Sequence, residues 1–118
     1  MKVCVTGGRD YSDKATVFRV LNELHAATPI WMVIHGDATG ADSLADSWAR
    51  QNEIIRVCVP AKWKTGTRGL AEGPARNRRM ILEFEPDLLV AFPGGKGTKD
   101  CAAYAEHEGI EVKYVAVA

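Results

Sequence analysis

Three glycine-rich turns in the sequence contain residue types that can bind an anion. They are residues 6–10 (Thr-Gly-Gly-Arg-Asp), residues 36–42 (Gly-Asp-Ala-Thr-Gly-Ala-Asp) and residues 93–98 (Pro-Gly-Gly-Lys-Gly-Thr). Each turn follows an apolar run and precedes a helical pattern, so its backbone N–H groups gather where a phosphate binds favourably. Glycine also lets a ligand approach the backbone closely. The third turn is not a Walker A loop, because no Gly-Lys-Ser/Thr ends it at the required spacing.

These turns supply most of the predicted ligand-binding residues, which are Gly7, Gly8, Arg9, Asp10, Gly36, Gly40, Asp42, Pro93, Gly94, Gly95, Gly97 and Thr98. Within this set, Arg9 would hold a phosphate and Asp10 a ribose hydroxyl, although an aspartate often only stabilises its own turn. Asp42 stands near a helix start, where capping is the default role of a carboxylate. For any single turn, the simpler interpretation is a short connection that needs glycine.

A basic segment provides two further candidates. Residues 62–79 contain six cations against the single acid Glu72, namely Lys62, Lys64, Arg68, Arg76, Arg78 and Arg79. Pro74 suits the first turn of a helix, so Arg76 would lie near the positive end of the macrodipole. This position of a cation costs stability unless an anion binds beside it. We therefore predict that Arg76 binds a phosphate or carboxylate and that Asn77, which leads the apolar stripe, points inward at the site. A solvated basic face is the alternative, and Arg79 fits it best because Glu83 follows four residues later.

Strand and helix patterns alternate along the whole chain. Apolar, β-rich runs occur at residues 2–6, 31–35, 54–59, 88–92 and 111–117, with helical patterns that begin after Ser12, at Ala41, at Pro74 and near Thr98, where the last helix runs to Gly109. This predicts one domain over residues 1–118, an α/β three-layer Rossmann-like sandwich with a mainly parallel five-stranded sheet. Only residues 61–73 show no hydrophobic periodicity, and they are expected to form a long loop.

The composition limits the kinds of binding partner and the cellular location that we expect. The formal net charge is zero, so no global field attracts nucleic acid or an anionic membrane, and no apolar run approaches the length of a membrane span. The three cysteines include no Cys-x-x-Cys pair, and Cys4 and Cys58 lie in strand patterns. We therefore expect reduced core thiols, no metal, no resident cofactor and a cytoplasmic location.

Taken together, these motifs resemble the SLOG superfamily, specifically its small YspA-like (YpsA-related) branch of bacteria and phages. The resemblance extends from Gly7-Gly8-Arg9-Asp10-Tyr11 through residues 35–42, Trp63 and residues 73–77 to residues 93–98. Relatives include the Lonely Guy phosphoribohydrolases, DprA-like DNA-binding proteins, molybdenum-cofactor carriers and signalling domains for ADP-ribose-like nucleotides. The resemblance implies a Rossmann-like sheet with a nucleotide-type ligand at the glycine loops, and assembly into homodimers or homotetramers.

The resemblance also identifies a difference from the enzymes of the superfamily. Lonely Guy enzymes carry Pro-Gly-Gly-x-Gly-Thr-x-x-Glu, and the position of the final glutamate is Cys101 here, preceded by Asp100. Cys101 should share the buried face of its helix with Thr98, while Asp100 falls about 200° around the helix from Thr98. Asp100 is the candidate catalytic residue, with a first-turn acid favoured by the helix dipole as the alternative.

Two functions follow from these residues. The first is binding of a nucleotide or nucleotide-derived ligand, such as an ADP-ribose- or NAD-like molecule or a nucleoside monophosphate, by a sensor or processing domain. The second is an N-glycosidase of the phosphoribohydrolase type, in which Asp100 assists departure of the base. A DprA-like nucleic-acid interface is disfavoured, because the chain lacks net positive charge and an aromatic–basic platform.

Overall fold

The computed structural model describes residues 1–61 and 69–117. Nine elements alternate along the chain: β1 (Lys2–Thr6), α1 (Lys14–Ala27), β2 (Met32–His35), α2 (Ala41–Gln51), β3 (Ile55–Cys58), α3 (Gly69–Phe84), β4 (Leu88–Ala91), α4 (Lys96–His107) and β5 (Glu111–Tyr114). The predicted strands are all present; β1 has the predicted limits, and the other four are somewhat shorter than their apolar runs.

The five strands form one parallel sheet in the order β3-β2-β1-β4-β5. The chain moves outward from β1 through β2 to β3, then crosses back to β4 beside β1. The connections after β1 and β4 therefore leave the sheet at its topological switch point, where open α/β sheets bind ligands. Two of the three glycine-rich turns occupy these connections, and the third follows β2.

Two apolar layers hold the helices against the sheet. On one face, α1 and α2 pack on the inner strands through a cluster that includes Val3, Leu21 and the fully buried Trp48. On the other, α3 and α4 pack through a cluster that includes Ile34, Met80 and Cys101. The predicted three-layer α/β sandwich with a parallel sheet is confirmed, and the central strands are buried on both faces, as parallel sheets require.

The start of α1 differs from the prediction. The N-cap is Asp13 rather than Ser12, because the Asp13 carboxylate accepts hydrogen bonds from the Thr16 backbone N–H (3.1 Å) and hydroxyl (2.7 Å). An ionised carboxylate satisfies the exposed N–H groups of a first turn at least as well as a hydroxyl does. These hydrogen bonds lower the pKa of the Asp13 carboxyl.

The start of α3 was also predicted wrongly. The helix begins at Gly69, so Pro74 lies inside it, and the predicted loop of residues 61–73 is shorter than expected. Proline removes a single intrahelical hydrogen bond, which a packed helix can tolerate. Arg76 therefore lies about two turns from the N-terminus, where the macrodipole argument no longer applies. Lys62, Trp63, Lys64 and Arg68 lie outside the described residues.

One predicted core thiol is exposed. Cys4 is fully buried as expected, but Cys58 ends the edge strand β3 and is accessible to solvent. An edge strand is covered on one side only, so its apolar pattern does not guarantee burial. Among the described residues, no helix combines the length and apolarity needed to cross a membrane.

Candidate functional site

A cavity of about 160 Å³ opens at the carboxyl edge of the sheet, where the three glycine-rich turns meet. Eight of the residues predicted from sequence line it, namely Gly7, Gly8, Arg9, Asp42, Arg76, Gly95, Gly97 and Thr98. A second cavity of about 340 Å³ shares Arg9, Ala38 and Arg76 with the first and extends along Gly36 and Asp37. The two cavities therefore share a wall that contains two arginines.

The backbone of Gly8 joins the three turns. Its N–H donates to the Pro93 carbonyl (2.9 Å), and its carbonyl accepts from the N–H groups of Tyr11 and Ala41 (3.2 Å each). The first turn is thereby bonded to the third turn and to the start of α2. The cavity wall is a single hydrogen-bonded structure.

Gly40 allows the second turn to approach the first. Its φ is +75°, and a Cβ atom there would overlap the Gly8 carbonyl oxygen and lie 2.6 Å from the Arg9 carbonyl carbon. Only glycine combines this backbone conformation with so close a neighbour. Gly40 was predicted as a ligand residue, and the structure gives it this packing role behind the cavity wall.

The Arg76 side chain reaches the cavity from α3 and is held in place at two points. Its Nη1 donates to the Gly36 carbonyl (2.6 Å), and its Nε donates to the Asn77 side-chain oxygen (3.0 Å). A Cβ atom at Gly36 would overlap the guanidinium group, so glycine at this position allows Arg76 to contact the backbone directly after β2. Within the described part of the chain, Arg76 forms no ion pair with a carboxylate.

Asn77 connects Arg76 to α4. Its side chain is 1% exposed, and its Nδ2 donates to the Gly97 carbonyl (3.2 Å) and to Asp100 Oδ2 (3.0 Å). Asn77 therefore points inward, but towards α4 rather than into the cavity. The Asp100 carboxylate that sequence analysis selected as catalytic lies behind Asn77, where it orients the amide that in turn orients Arg76.

Asp42 lines the same cavity as Arg76. Its Oδ2 accepts hydrogen bonds from the backbone N–H groups of Gly36 (2.9 Å) and Ala38 (3.4 Å), so the carboxylate caps the preceding loop rather than its own helix. Burial raises the pKa of the Asp42 carboxyl above its ordinary value, against the opposing influence of His35, these amides and Arg76. The side chain is 5% exposed.

His35, Asp46 and Cys58 form a separate polar cluster beyond the cavity, with donor atoms within 4.8 Å of one another, close enough to surround a metal ion. However, His35 Nδ1 accepts the Asp37 backbone N–H (3.0 Å), so the proton is on Nε2, which donates to Asp46 Oδ1 (2.8 Å). A metal at Nε2 would have to displace that proton. The tautomer favours a structural hydrogen bond that shapes the Gly36–Asp37 turn.

Several predicted residues lie outside the cavity lining. Asp10 is exposed beside a shallow groove with Pro93 and Gly94, and Cys101 is fully buried in the core. Gly36 lines the second cavity, while Gly40, Asn77 and Asp100 support the wall from behind. Thr6, Ala38 and Gly73 also line the cavity but were not predicted as ligand-binding residues, although each lies in one of the motifs quoted above. Thr6 ends β1, Ala38 lies in the second turn and Gly73 lies inside α3. Their side chains carry no pattern that would have singled them out.

Comparison with known proteins identifies the family. A family model described as "YspA, cpYpsA-related SLOG family" (YAcAr) matches residues 1–66. The Gene 61 protein of Mycobacterium phage D29 is 36% identical over 119 residues, which cover 94% of this chain and 93% of that protein. The chain belongs to the YAcAr family. The resemblance to the SLOG superfamily drawn from the glycine-rich turns is thus confirmed.

Solved structures share the fold of this YAcAr chain at low sequence identity. DNA processing protein A (DprA) from Streptococcus pneumoniae superposes with a TM-score of 0.74 at 19% identity, over 99% of this chain and 50% of that one. UDP-GlcNAc 2-epimerase from Neisseria meningitidis, solved with UDP-GlcNAc bound, gives a TM-score of 0.60 at 18% identity, over 98% of this chain and 32% of that one. The YAcAr chain therefore spans half or less of these larger proteins.

Proposed function

We propose that the cavity binds the phosphate of a nucleotide or nucleotide-derived ligand. The observation that carries the proposal is the position of the Arg76 side chain. Its guanidinium is partly buried, held by Gly36 and Asn77, exposed to both cavities and without an ion-pair partner among the described carboxylates. A cation kept in this position is stabilised by an anionic ligand, and an arginine matches a phosphate with charge-assisted hydrogen bonds.

The helix starts around the cavity support an anion. In α1, which begins away from the cavity, the Asp13 side chain caps the first turn. In α2 and α4, which begin at its wall, the N-cap residues are Gly40 and Gly95, and neither start has a side-chain cap. The first N–H groups of a helix need partners. In α2 the Ala41 N–H donates to the Gly8 carbonyl, and a phosphate placed between the two helices would supply oxygen acceptors for the N–H groups that follow.

The third turn leaves room for a ligand at its backbone. A Cβ atom at Gly95 or Gly97 would meet no other atom within 4 Å, in contrast to Gly40. Packing among the described residues therefore does not explain why both cavity-lining positions are glycine. Close approach of a phosphate to the backbone does explain it.

A nucleotide fits the pair of cavities better than a small anion alone. The phosphate would lie in the smaller cavity, and the larger one, continuous with it through Arg9 and Arg76, has space for the remainder of the ligand. The N. meningitidis protein, which shares this fold over 32% of its chain, was solved with UDP-GlcNAc bound, so a nucleotide sugar is included among the ligands to be tested. That likeness concerns fold and leaves the base and sugar open.

The proposal is tested with the full chain and a panel of AMP, ADP-ribose, NAD and UDP-GlcNAc. A ligand that binds only the folded state raises the midpoint of thermal unfolding with its concentration, and isothermal titration then gives the dissociation constant. Absence of binding across the panel would contradict the proposal. Chromatography of the same samples detects a released base, which is the product expected if the domain is also an N-glycosidase.

Replacing Gly97 with alanine separates ligand approach from folding. The residue lies in the first turn of α4 with open space around it, so alanine should stabilise the free protein by up to about 1 kcal/mol through helix propensity. Because Gly97 lines the cavity, a methyl group added there should weaken nucleotide binding at least about tenfold, or about 1.4 kcal/mol. Thermal unfolding and titration measure the two effects. Unchanged affinity would show that the ligand does not approach this backbone.

A further inference from the structure

The Asp42 carboxylate has one oxygen fixed by the protein and one oxygen open to the cavity. Oδ2 receives the Gly36 and Ala38 N–H groups, while Oδ1 accepts no hydrogen bond from the described residues. Among the described residues, every side-chain oxygen and nitrogen that is fully enclosed has a hydrogen-bond partner. Oδ1 is therefore reached from the cavity that Asp42 lines.

A buried carboxylate is out of place in a pocket that binds only an anion. The side chain is 5% exposed and faces the same cavity as Arg76 and the start of α4, so it would repel a phosphate that came close. An ionised carboxylate accepts hydrogen bonds and cannot donate them. The part of the ligand that meets Oδ1 must therefore bring a donor, and a neutral hydroxyl satisfies the oxygen without adding charge.

We propose that Asp42 selects ligands in which a hydroxyl-bearing sugar is attached to the phosphate, and that it discriminates against phosphates without such hydroxyls. This inference rests on the proposed phosphate site and specifies the class of ligand as sugar phosphates, including the ribose phosphate part of nucleotides. The phosphate contacts Arg76 and the α4 backbone, and a sugar hydroxyl donates to Asp42 Oδ1 across the cavity.

The experiment compares two probes that share a phosphate ester. Ribose 5-phosphate carries hydroxyls, n-pentyl phosphate has a five-carbon chain without them, and both are titrated into the wild-type chain and into Asp42→Asn. The asparagine oxygen must stay with the Gly36 and Ala38 N–H groups, so its NH₂ group turns to the cavity and presents donors instead of an acceptor. We expect the wild type to bind ribose 5-phosphate at least about tenfold more tightly than pentyl phosphate.

In Asp42→Asn this preference should disappear, because ribose 5-phosphate loses affinity while pentyl phosphate keeps or gains it. Equal affinities of the wild type for the two probes would overturn the inference, as would an unchanged preference in the variant or binding of neither probe. If the variant does not fold, the wild-type comparison alone decides. A wild type that prefers ribose 5-phosphate but binds no nucleotide of the panel would uphold the role of Asp42 and contradict the proposed nucleotide ligand.

Discussion

Replacing Arg76 with alanine is expected to weaken binding of a nucleotide about 10- to 100-fold, while the fold persists. A hydrogen bond between charged groups contributes about 1.5–3 kcal/mol, and Arg76 is one of the two arginines that line both cavities. The variant removes the donors of the Gly36 carbonyl and of the Asn77 side-chain oxygen. Water can enter the space that the arginine leaves and replace them, so the cost to folding should stay below about 3 kcal/mol. Titration calorimetry and thermal unfolding measure the two quantities.

Arg78→Ala is the matched control for this prediction. Arg78 lies on the same helix and its replacement removes the same charge, but its guanidinium stacks over the Tyr104 ring at 5.3 Å rather than lining the cavity. Its loss should change nucleotide affinity by no more than about twofold, because dissolved salt screens a charge that lies far from the ligand. If both variants lose affinity equally, the effect is one of overall charge and the Arg76 assignment is wrong.

Gly36→Ala tests the same contact from the other side. A Cβ atom at Gly36 would overlap the end of the Arg76 side chain, which is flexible, and no backbone atom lies nearer than the guanidinium. The alanine should therefore displace the guanidinium without unfolding the chain and reproduce much of the affinity loss of Arg76→Ala. The double variant should then be little worse than either single one, because the two changes remove one interaction.

Replacing Gly40 with alanine is expected to destabilise the whole domain by about 3 kcal/mol or more. Two costs add at this position, strain of about 1–3 kcal/mol for a side chain at φ +75° and overlap with the Gly8 and Arg9 backbone. Since a backbone neighbour cannot move aside as a flexible side chain can, the second cost persists unless the turns separate. A loss of this size is a large part of the total stability of a typical domain.

Gly109→Ala is the control that isolates the overlap. Gly109 has a similar φ of +78° where it follows α4, but a Cβ atom there would meet nothing within 4 Å. Its replacement should cost only the backbone strain, about 1–3 kcal/mol. Chemical denaturation of both variants gives the difference. Equal losses would mean that the contact between the first two turns contributes little to folding.

Much of the architecture could be predicted from the sequence because it depends on local patterns. The alternation of strand and helix periods led to the parallel sheet, and the glycine-rich turns led to its carboxyl edge. Asn77 was correctly predicted to be buried from its place in the apolar stripe. Such features depend on neighbours three or four residues away, which sequence reasoning can see.

The contacts that the sequence did not predict join distant segments. Arg76 was selected because it was expected to lie near a helix start, but α3 begins about two turns before it. Its side chain instead donates to the Gly36 carbonyl, forty positions away in the chain. The hydrogen bond of Asp100 to Asn77 joins α4 to α3, and only the packing of these two helices shows that this carboxylate faces Asn77. A single sequence contains no direct signal for either pairing.

The joining of the three turns through one residue, Gly8, has a thermodynamic consequence. Because Gly8 bonds to Pro93 and to Ala41 at once, one turn cannot open without breaking a bond that orders another. The conformational entropy of the binding wall is therefore lost when the chain folds rather than when the ligand arrives. More of the contact energy of a ligand then remains as affinity, as in any preorganised receptor.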